Sequence, residues 1–225
     1  MRAMILAAGR GERMRPLTDS VPKPLLPAGG KPLIVWHIDR LARAGVRDIV
    51  VNHAWLGARI EEALGDGSQW NVRLRYSAEA TALETAGGIR QALPLLGGEP
   101  FLVINGDIWT DWDPALALAA ASDLPRQGRL AWLVLVDNPA HHPTGDFRLA
   151  PSGLVQDGEP RLTFAGIGVY QPELFAGLPA GEPARLAPLL RAAMARDQVG
   201  GMHHGGRWTD VGTPQRLAEL DASLQ

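Results

Sequence analysis

Four short apolar runs alternate with amphipathic segments in the first 136 residues, and this alternation limits the folds open to the chain. The apolar runs, each bounded by turn residues, lie at 3–8, 48–52, 101–105 and 130–136. Runs that are short and apolar throughout are typical of strands buried on both faces. Apolar residues recur at helical spacing in segments at about 32–45, 56–65, 84–97 and 112–122. The pattern predicts βαβ units with a mainly parallel sheet between layers of helices.

The sequence after Asp137 is richer in turn residues and less regular. It predicts further strands and a lid over the sheet edge, with strands near 146–150, 162–170 and Trp208–Asp210 and helices near 186–197 and from about Pro214. With 225 residues and no linker or repeat, the chain is expected to form a single domain.

Composition excludes several classes of function. The formal net charge is -2 and no basic block occurs, which argues against a nucleic-acid partner. The absence of cysteine excludes disulfides, thiolate metal sites and cysteine nucleophiles. No segment has the ~18 consecutive apolar residues of a membrane span. We therefore expect a cytoplasmic protein with no membrane partner, either a monomer or a small homo-oligomer.

A glycine-rich segment follows the first predicted strand and reads LAAGRGERMRPLTDSVPKPLLPAGGKP over residues 6–32. Gly9 and Gly11 fall where the strand becomes a loop, so backbone N–H groups can approach a polyphosphate closely. Arg13, Arg15 and Lys23 add positive charge nearby. The segment predicts a triphosphate site.

Two other phosphate-binding motifs fit this segment less well. The dinucleotide fingerprint GxGxxG fails at its third glycine, where this chain has Met14 followed by Arg15-Pro16. A P-loop needs Gly-Lys-Ser or Gly-Lys-Thr, and neither follows.

Two aspartates are candidate metal ligands. Asp107 directly follows the predicted strand at 101–105, and Asp210 lies in the segment WTDVGTP. Ligands of open α/β sheets collect beyond the carboxyl ends of the strands, and Mg²⁺ prefers carboxylate and phosphate oxygens. A turn or helix cap is the structural alternative for each aspartate.

The segment at 6–32 resembles the opening of the sugar-1-phosphate nucleotidyltransferases, whose pattern is LAAGxGxRxxPLTxxxPKPLxPxxGxPL. The resemblance implies a Rossmann-like, three-layer α/β/α nucleotidyltransferase (GT-A-like) fold with a mixed, mainly parallel sheet and a small acceptor-side lobe. Residues 1–136 would form the nucleotide-binding half and residues 137–225 the sugar-phosphate-binding half. The implied substrates are UTP and a sugar 1-phosphate, and the implied cofactor is Mg²⁺.

The resemblance also implies roles for individual residues. Lys23 would bind the phosphates at the reacting centre, Arg15 the leaving pyrophosphate, and Asp107 and Asp210 the metal. The expected nucleotide-binding residues are Leu6, Ala8, Gly9, Gly11, Glu12, Arg13, Lys23, Glu79, Thr85 and Gly87. The expected sugar-phosphate-binding residues are Asn105, Asp146, Gly166 and Arg185.

Several runs further along the chain resemble one branch of the family, the uridylyltransferases that act on N-acetylmuramate 1-phosphate in peptidoglycan recycling. These runs are NHAWLG at 52–57, NGDIWTD at 105–111, and LVDNP with HH and GDFRL nearby. Alternatives within the family are mannose-1-phosphate guanylyltransferase and glucose-1-phosphate uridylyl- or thymidylyltransferase. An alternative of another class is a non-catalytic nucleotide-sugar sensor, which retention of Lys23, Asp107 and Asp210 disfavours.

Overall fold

The computed structural model describes residues 1–225 and contains thirteen strands and six helices. The strands are β1 Ala3–Leu6, β2 Pro27–Ala28, β3 Lys31–Pro32, β4 Asp48–His53, β5 Arg73–Ala78, β6 Phe101–Asn105, β7 Ile108–Thr110, β8 Ala131–Val136, β9 Arg148–Leu149, β10 Val155–Gln156, β11 Thr163–Tyr170, β12 Val199–His203 and β13 Trp208–Asp210. The helices are α1 Leu33–Arg43, α2 Gly57–Leu64, α3 Glu84–Leu96, α4 Leu116–Arg126, α5 Leu186–Met194 and α6 Pro214–Ser223. None of the helices is both long and apolar enough to cross a lipid bilayer.

The central sheet has seven strands in the order β12-β8-β11-β6-β1-β4-β5. All neighbouring pairs are parallel except those made by β11, which runs antiparallel to β6 and β8. The expected mixed, mainly parallel sheet is thus confirmed. The chain moves from β1 outward to β4 and β5 and then returns to the other side of β1 to form β6. This reversal of strand order opens a crevice at the carboxyl ends of the central strands.

Side chains of the central strands alternate between two hydrophobic cores, one on each face of the sheet. On β1, Ala3 and Ile5 enter the core beneath α1, α2 and α4, whereas Met4 enters the core beneath α3 and α5. Successive strand residues point to opposite faces, so a strand covered on both sides must be apolar at every position. The unbroken apolar runs in the sequence reflect this three-layer arrangement.

Two strands of the sheet, β5 and β12, lie outside the strands predicted from the sequence. β5 is an edge strand with the sequence RLRYSA, and its arginines interrupt the apolar pattern. β12 is the opposite edge strand and contains Gly200 and Gly201. A Cβ on Gly201 would lie 2.7 Å from the carbonyl oxygen of Leu133 on β8. Gly201 is therefore required because the backbones of β12 and β8 approach closely. Glycine has a low strand propensity, so the sequence pattern did not predict β12.

A third, smaller core joins the two ends of the chain. Met14 from the glycine-rich segment packs in it with Leu33, Trp109, Val211 and Leu217. Val211 directly follows Asp210, and Leu217 lies on α6. Thr213 caps α6, because its Oγ1 accepts a hydrogen bond from the N–H of Arg216. This core holds the glycine-rich segment against the C-terminal segment that carries Asp210.

His37 on α1 forms a hydrogen bond with the backbone of β7. Its Nε2 lies 2.9 Å from the carbonyl oxygen of Ile108, and since a carbonyl only accepts, Nε2 carries the proton. Burial lowers the pKa of His37 from 6.5 to about 4, although the hydrogen bond to Ile108 and the charge of Asp107 oppose the shift. The buried imidazole is therefore neutral at pH 7.

The low pKa of His37 predicts acid sensitivity of the fold. Between pH 6.5 and 4 the unfolded chain takes up a proton at His37 that the folded protein does not, so stability falls as pH is lowered through this range. The penalty should reach roughly 2 to 3 kcal/mol by pH 4. Chemical denaturation at pH 7 and pH 4.5 should show a smaller pH-dependent loss for His37→Gln than for the wild type. An equal loss in both proteins would contradict this assignment.

Candidate functional site

Polar side chains converge where the central strands end. In the sheet register, Leu6 at the end of β1 lies between Asn52 on β4 and Asn105 on β6. The N–H of Ala7 donates a hydrogen bond to Asn52 Oδ1 at 2.9 Å, which ties the segment after β1 to β4. Gly106 approaches β1 closely, because a Cβ there would lie 2.6 Å from the carbonyl oxygen of Leu6. Asn105 and Asp107 are thereby brought against the start of the glycine-rich segment.

A cavity of about 380 Å³ opens at this crevice, and we call it the nucleotide cavity. It is lined by Leu6, Ala7, Ala8, Gly9, Lys23, Pro24, Asn52, Glu79, Ala82, Glu84, Thr85, Asn105 and Asp107. Six of the residues expected to bind nucleotide therefore lie together: Leu6, Ala8, Gly9, Lys23, Glu79 and Thr85. The lining combines small residues with charged and amide side chains, a composition suited to a planar base with attached phosphates.

Lys23 and Asp107 form an ion pair in the nucleotide cavity, with Lys23 Nζ 2.6 Å from Asp107 Oδ2. The lysine side chain is only 8% exposed, whereas that of Asp107 is 43% exposed. The short helix at Lys23–Leu25 begins at Pro22, which is extended, and this backbone carries the lysine inward. A largely buried ammonium group beside a partly exposed carboxylate can neutralise a phosphate that enters the cavity.

The glycine-rich segment is fixed by contacts around Thr18, which is fully buried. Thr18 Oγ1 donates to the carbonyl oxygen of Gly11 at 2.8 Å, and the indole N–H of Trp55 donates to the carbonyl oxygen of Thr18 at 3.1 Å. Gly11 has a φ of 68°, and a Cβ there would lie 3.3 Å from the Cβ of Lys23. Gly11 therefore leaves room for Lys23; it is not among the residues that line the cavity.

Asn52 is a site residue that sequence reasoning missed. Its Nδ2 donates to Glu79 Oε1 at 2.6 Å, and Glu79 Oε2 accepts from the N–H of Leu83 at 2.9 Å. Both oxygens of Glu79 are thus engaged within the protein, and a Cβ on Gly88 would lie 2.6 Å from Oε1. Glu79 therefore shapes the cavity wall and the start of α3. The signal for Asn52 was a polar residue directly after the apolar run Ile49-Val50-Val51, near the carboxyl end of β4.

Asp210 reaches the site through the pairing of β13 with β7, in which Asp210 lies opposite Ile108. The N–H of Val211 donates to the carbonyl oxygen of Asp107 at 2.8 Å, so the two aspartate segments are joined directly. Asp210 Oδ1 lies 2.5 Å from Arg216 on α6 and 2.7 Å from His141 Nε2. Neither Arg216 nor His141 was predicted, because neither residue forms a known motif with Asp210 in the sequence.

Asp107 and Asp210 both line a second cavity of about 360 Å³, which we call the bridging cavity. Each keeps one carboxylate oxygen without a hydrogen bond, Oδ1 of Asp107 and Oδ2 of Asp210. No group of three or more His, Cys, Asp or Glu side chains is arranged to hold a metal ion. Two carboxylates suit Mg²⁺, which keeps several waters and takes further oxygens from substrate phosphates. The carboxylates of Asp107 and Asp210 therefore fit Mg²⁺, the expected cofactor.

A third cavity of about 260 Å³, the acceptor cavity, lies beside α5. It is lined by Glu84, Thr85, Asn105, Asp146, Phe147, Phe164, Arg185, Leu186, Ala187 and Leu190. Asn105 lines all three cavities, so they meet at the end of β6. Gly166 lines the bridging cavity at a bulge in β11, with a φ of 74°. A Cβ there would lie 2.6 Å from Asn105 Nδ2, so Gly166 sets the position of Asn105.

The structure leaves four of the expected site residues outside all of these cavities: Gly11, described above, and Arg15, Glu12 and Gly87. Arg15 is exposed and donates to Asp19 at 2.8 Å, because the short helix at Glu12–Met14 inserts Met14 into the core and directs the chain outward. Glu12 is also exposed. Gly87 instead permits close packing, since a Cβ there would lie 2.4 Å from the carbonyl oxygen of Glu182. Arg13, by contrast, lines the bridging cavity.

Comparisons with known proteins match nearly the whole chain. The nucleotidyl transferase family model matches residues 2–225. An N-acetylmuramate alpha-1-phosphate uridylyltransferase from Neisseria meningitidis serogroup B is 58% identical, with 99% of this chain and 97% of the relative covered. A protein of the same name from Caulobacter vibrioides is 39% identical, with 99% and 96% covered.

The fold also has solved counterparts. A putative glucose-1-phosphate thymidylyltransferase from Bacillus anthracis superposes with a TM-score of 0.86 at 21% identity, and 100% of this chain and 95% of the other are covered. At that identity the likeness shows the fold alone, whereas the family match and the closer relatives span nearly all of the sequence. The chain, with its glycine-rich segment, Lys23 and two aspartates gathered at the ends of the central strands, belongs to the nucleotidyl transferase family.

Proposed function

We propose that the protein transfers UMP from UTP to N-acetylmuramate 1-phosphate, which yields UDP-N-acetylmuramate and pyrophosphate. The observation that carries this proposal is the 58% identity, over 99% of the chain, to a relative bearing that name. The joined cavities support it, because a nucleotide and a sugar phosphate could meet beside Asn105 and Asp107. Residues 1–136 would then bind the nucleotide, and residues 137–225 would supply most of the sugar-phosphate side. A role in peptidoglycan recycling in the cytoplasm follows from this substrate.

In the proposed reaction, an oxygen of the sugar 1-phosphate attacks the α-phosphorus of UTP. A new P–O bond forms as the bond between the α-phosphorus and the bridging oxygen breaks, and pyrophosphate leaves with that oxygen. The attacking oxygen is already anionic, so no general base is required. Charge repulsion between the phosphates is the main barrier that the protein must lower.

The protein's own residues can lower this barrier. Lys23 lies where the nucleotide and bridging cavities meet at Asp107, so its ammonium group can neutralise phosphate oxygens. We assign the leaving pyrophosphate to Arg13, which lines the bridging cavity, instead of Arg15, which pairs with Asp19 outside the cavities. Asp107 and Asp210 would hold Mg²⁺, which supplies further neutralisation of phosphate charge. Arg216 and His141 hold Asp210 in place.

A substrate panel tests the proposal. Pyrophosphate release should be measured with UTP, GTP and dTTP, each combined with the 1-phosphates of N-acetylmuramate, N-acetylglucosamine, glucose and mannose. We expect the highest kcat/KM for UTP with N-acetylmuramate 1-phosphate, abolished by a chelator and restored by excess Mg²⁺. Turnover confined to GTP and mannose 1-phosphate would contradict the proposal. Absence of turnover with every pair would favour a nucleotide-sugar sensor.

A further inference from the structure

The acceptor cavity contains one cationic side chain among its lining residues. Glu84 and Asp146 make the cavity acidic, and Arg185 is the single arginine or lysine that lines it. Arg185 immediately precedes α5 in an extended conformation, at the end of the helix where the macrodipole is positive. An anionic group entering this cavity would therefore meet favourable charge only near Arg185.

Two charged side chains of the acceptor cavity, Asp146 and Arg185, differ in how many hydrogen bonds they already make within the protein. Asp146 Oδ2 accepts from the N–H of Phe164 at 2.8 Å, and Oδ1 lies 3.1 Å from His142 Nε2. Asp146 therefore serves the local structure of β11 and its preceding loop. Arg185 is 80% exposed, and its nearest carboxylate oxygen, Oε1 of Glu84, is 4.0 Å from Nε. At that distance no hydrogen bond forms, so the guanidinium group keeps its donors for a ligand.

The proposed substrate carries an anion that related sugar phosphates lack. N-acetylmuramate is N-acetylglucosamine with a lactyl ether on O3, and this ether adds one carboxylate and one methyl group. A guanidinium group presents paired N–H donors that match a carboxylate bidentately. Leu186, Ala187 and Leu190 also line the cavity, and they supply apolar surface for the methyl group.

The other basic side chains near the site lie outside the acceptor cavity. Arg13, His141 and His142 line the bridging cavity with Asp107 and Asp210, where phosphates would lie. Arg216 is bound to Asp210. None of these four side chains lines the acceptor cavity.

We propose that Arg185 binds the lactyl carboxylate of N-acetylmuramate 1-phosphate and so makes the protein prefer this substrate over N-acetylglucosamine 1-phosphate. The inference rests on the proposed function and adds the residue that recognises the acidic substituent. The phosphate group of the sugar phosphate would be bound by residues of the bridging cavity.

The test compares two acceptors in one assay. With UTP saturating, kcat/KM for N-acetylmuramate 1-phosphate should fall roughly 10- to 100-fold in Arg185→Ala, mainly through KM, because a charge-assisted hydrogen bond is lost. The value for N-acetylglucosamine 1-phosphate should change less than about twofold, because that substrate lacks the carboxylate. Arg185→Lys should recover part of the preference, since it restores charge without the paired donors.

Arg191→Ala is the matched control. Arg191 lies on α5, the helix that Arg185 precedes, but it donates to Asp157 at 3.1 Å and does not line the cavity. This variant should leave both kcat/KM values unchanged. An equal loss for both acceptors in Arg185→Ala would overturn the inference, because it would place Arg185 at a group common to both. Wild-type protein that does not use N-acetylmuramate 1-phosphate, but uses another acceptor, would instead refute the proposed function, and the inference with it.

Discussion

Replacing Lys23 with methionine should lower kcat/KM for pyrophosphate release by roughly 10²- to 10³-fold, the usual effect of losing one charge-stabilising donor. The side chains have similar length, so methionine can fill the same space. The loss should leave stability within about 1 kcal/mol of wild type, because Asp107 is 43% exposed and water can solvate it once its partner is gone. Steady-state kinetics and a thermal melt would measure the two effects separately.

The chain provides a close control for this experiment, since its only other lysine is Lys31. Lys31 also pairs with a carboxylate, that of Asp39, but lines none of the three cavities. Lys31→Met should retain wild-type activity. If Lys23→Met were as active as this control, Lys23 would have no part in neutralising the phosphates.

Replacing Asp107 with asparagine should also lower kcat/KM by roughly 10²- to 10³-fold, but here stability should fall as well. An amide cannot replace an anionic oxygen toward Mg²⁺, and it leaves the Lys23 ammonium, only 8% exposed, without its counter-charge. We expect a destabilisation of about 1 to 2 kcal/mol, below the full penalty for a buried pair because Asp107 is partly exposed. Steady-state kinetics would measure the loss of activity, and a thermal melt would measure the loss of stability.

The double variant Lys23→Met/Asp107→Asn separates the two roles of Asp107. It removes the uncompensated charge, so stability should return toward wild type while activity stays lost. Asp111→Asn is the control, because Asp111 is 44% exposed, pairs with His204 at 2.8 Å and lies outside the cavities. Normal pyrophosphate release by Asp107→Asn would contradict the metal assignment.

The layered fold and the central crevice were predictable because the central strands are almost continuously apolar, with polar residues mainly at their ends. The edge strands β5 and β12 were not, since arginines on one and glycines on the other break the pattern. Their pairing is decided by the neighbouring strand and the core beneath, which a local pattern does not contain.

Within the site, the sequence predicted the residues that motifs mark, and the structure brings Lys23, Asp107 and Asp210 together. It could not show that Arg15 points outward while Arg13 lines the bridging cavity, because this depends on which side chain enters the small core. Arg216 and His141 were missed for a related reason. Their contact with Asp210 arises from the packing of α6 and a loop, which leaves no regular spacing in the sequence.

The small core that joins Met14 to Leu217 is expected to open more easily than the two larger cores. That core has eight buried residues, against twenty-five and twenty-one in the cores on the two faces of the sheet. Segments with little buried apolar area open at a free energy below that of global unfolding. Warming or mild denaturant would therefore separate Asp210 from the glycine-rich segment while the sheet is still intact. Loss of catalysis would then precede unfolding, and recovery would require only redocking of the C-terminal segment.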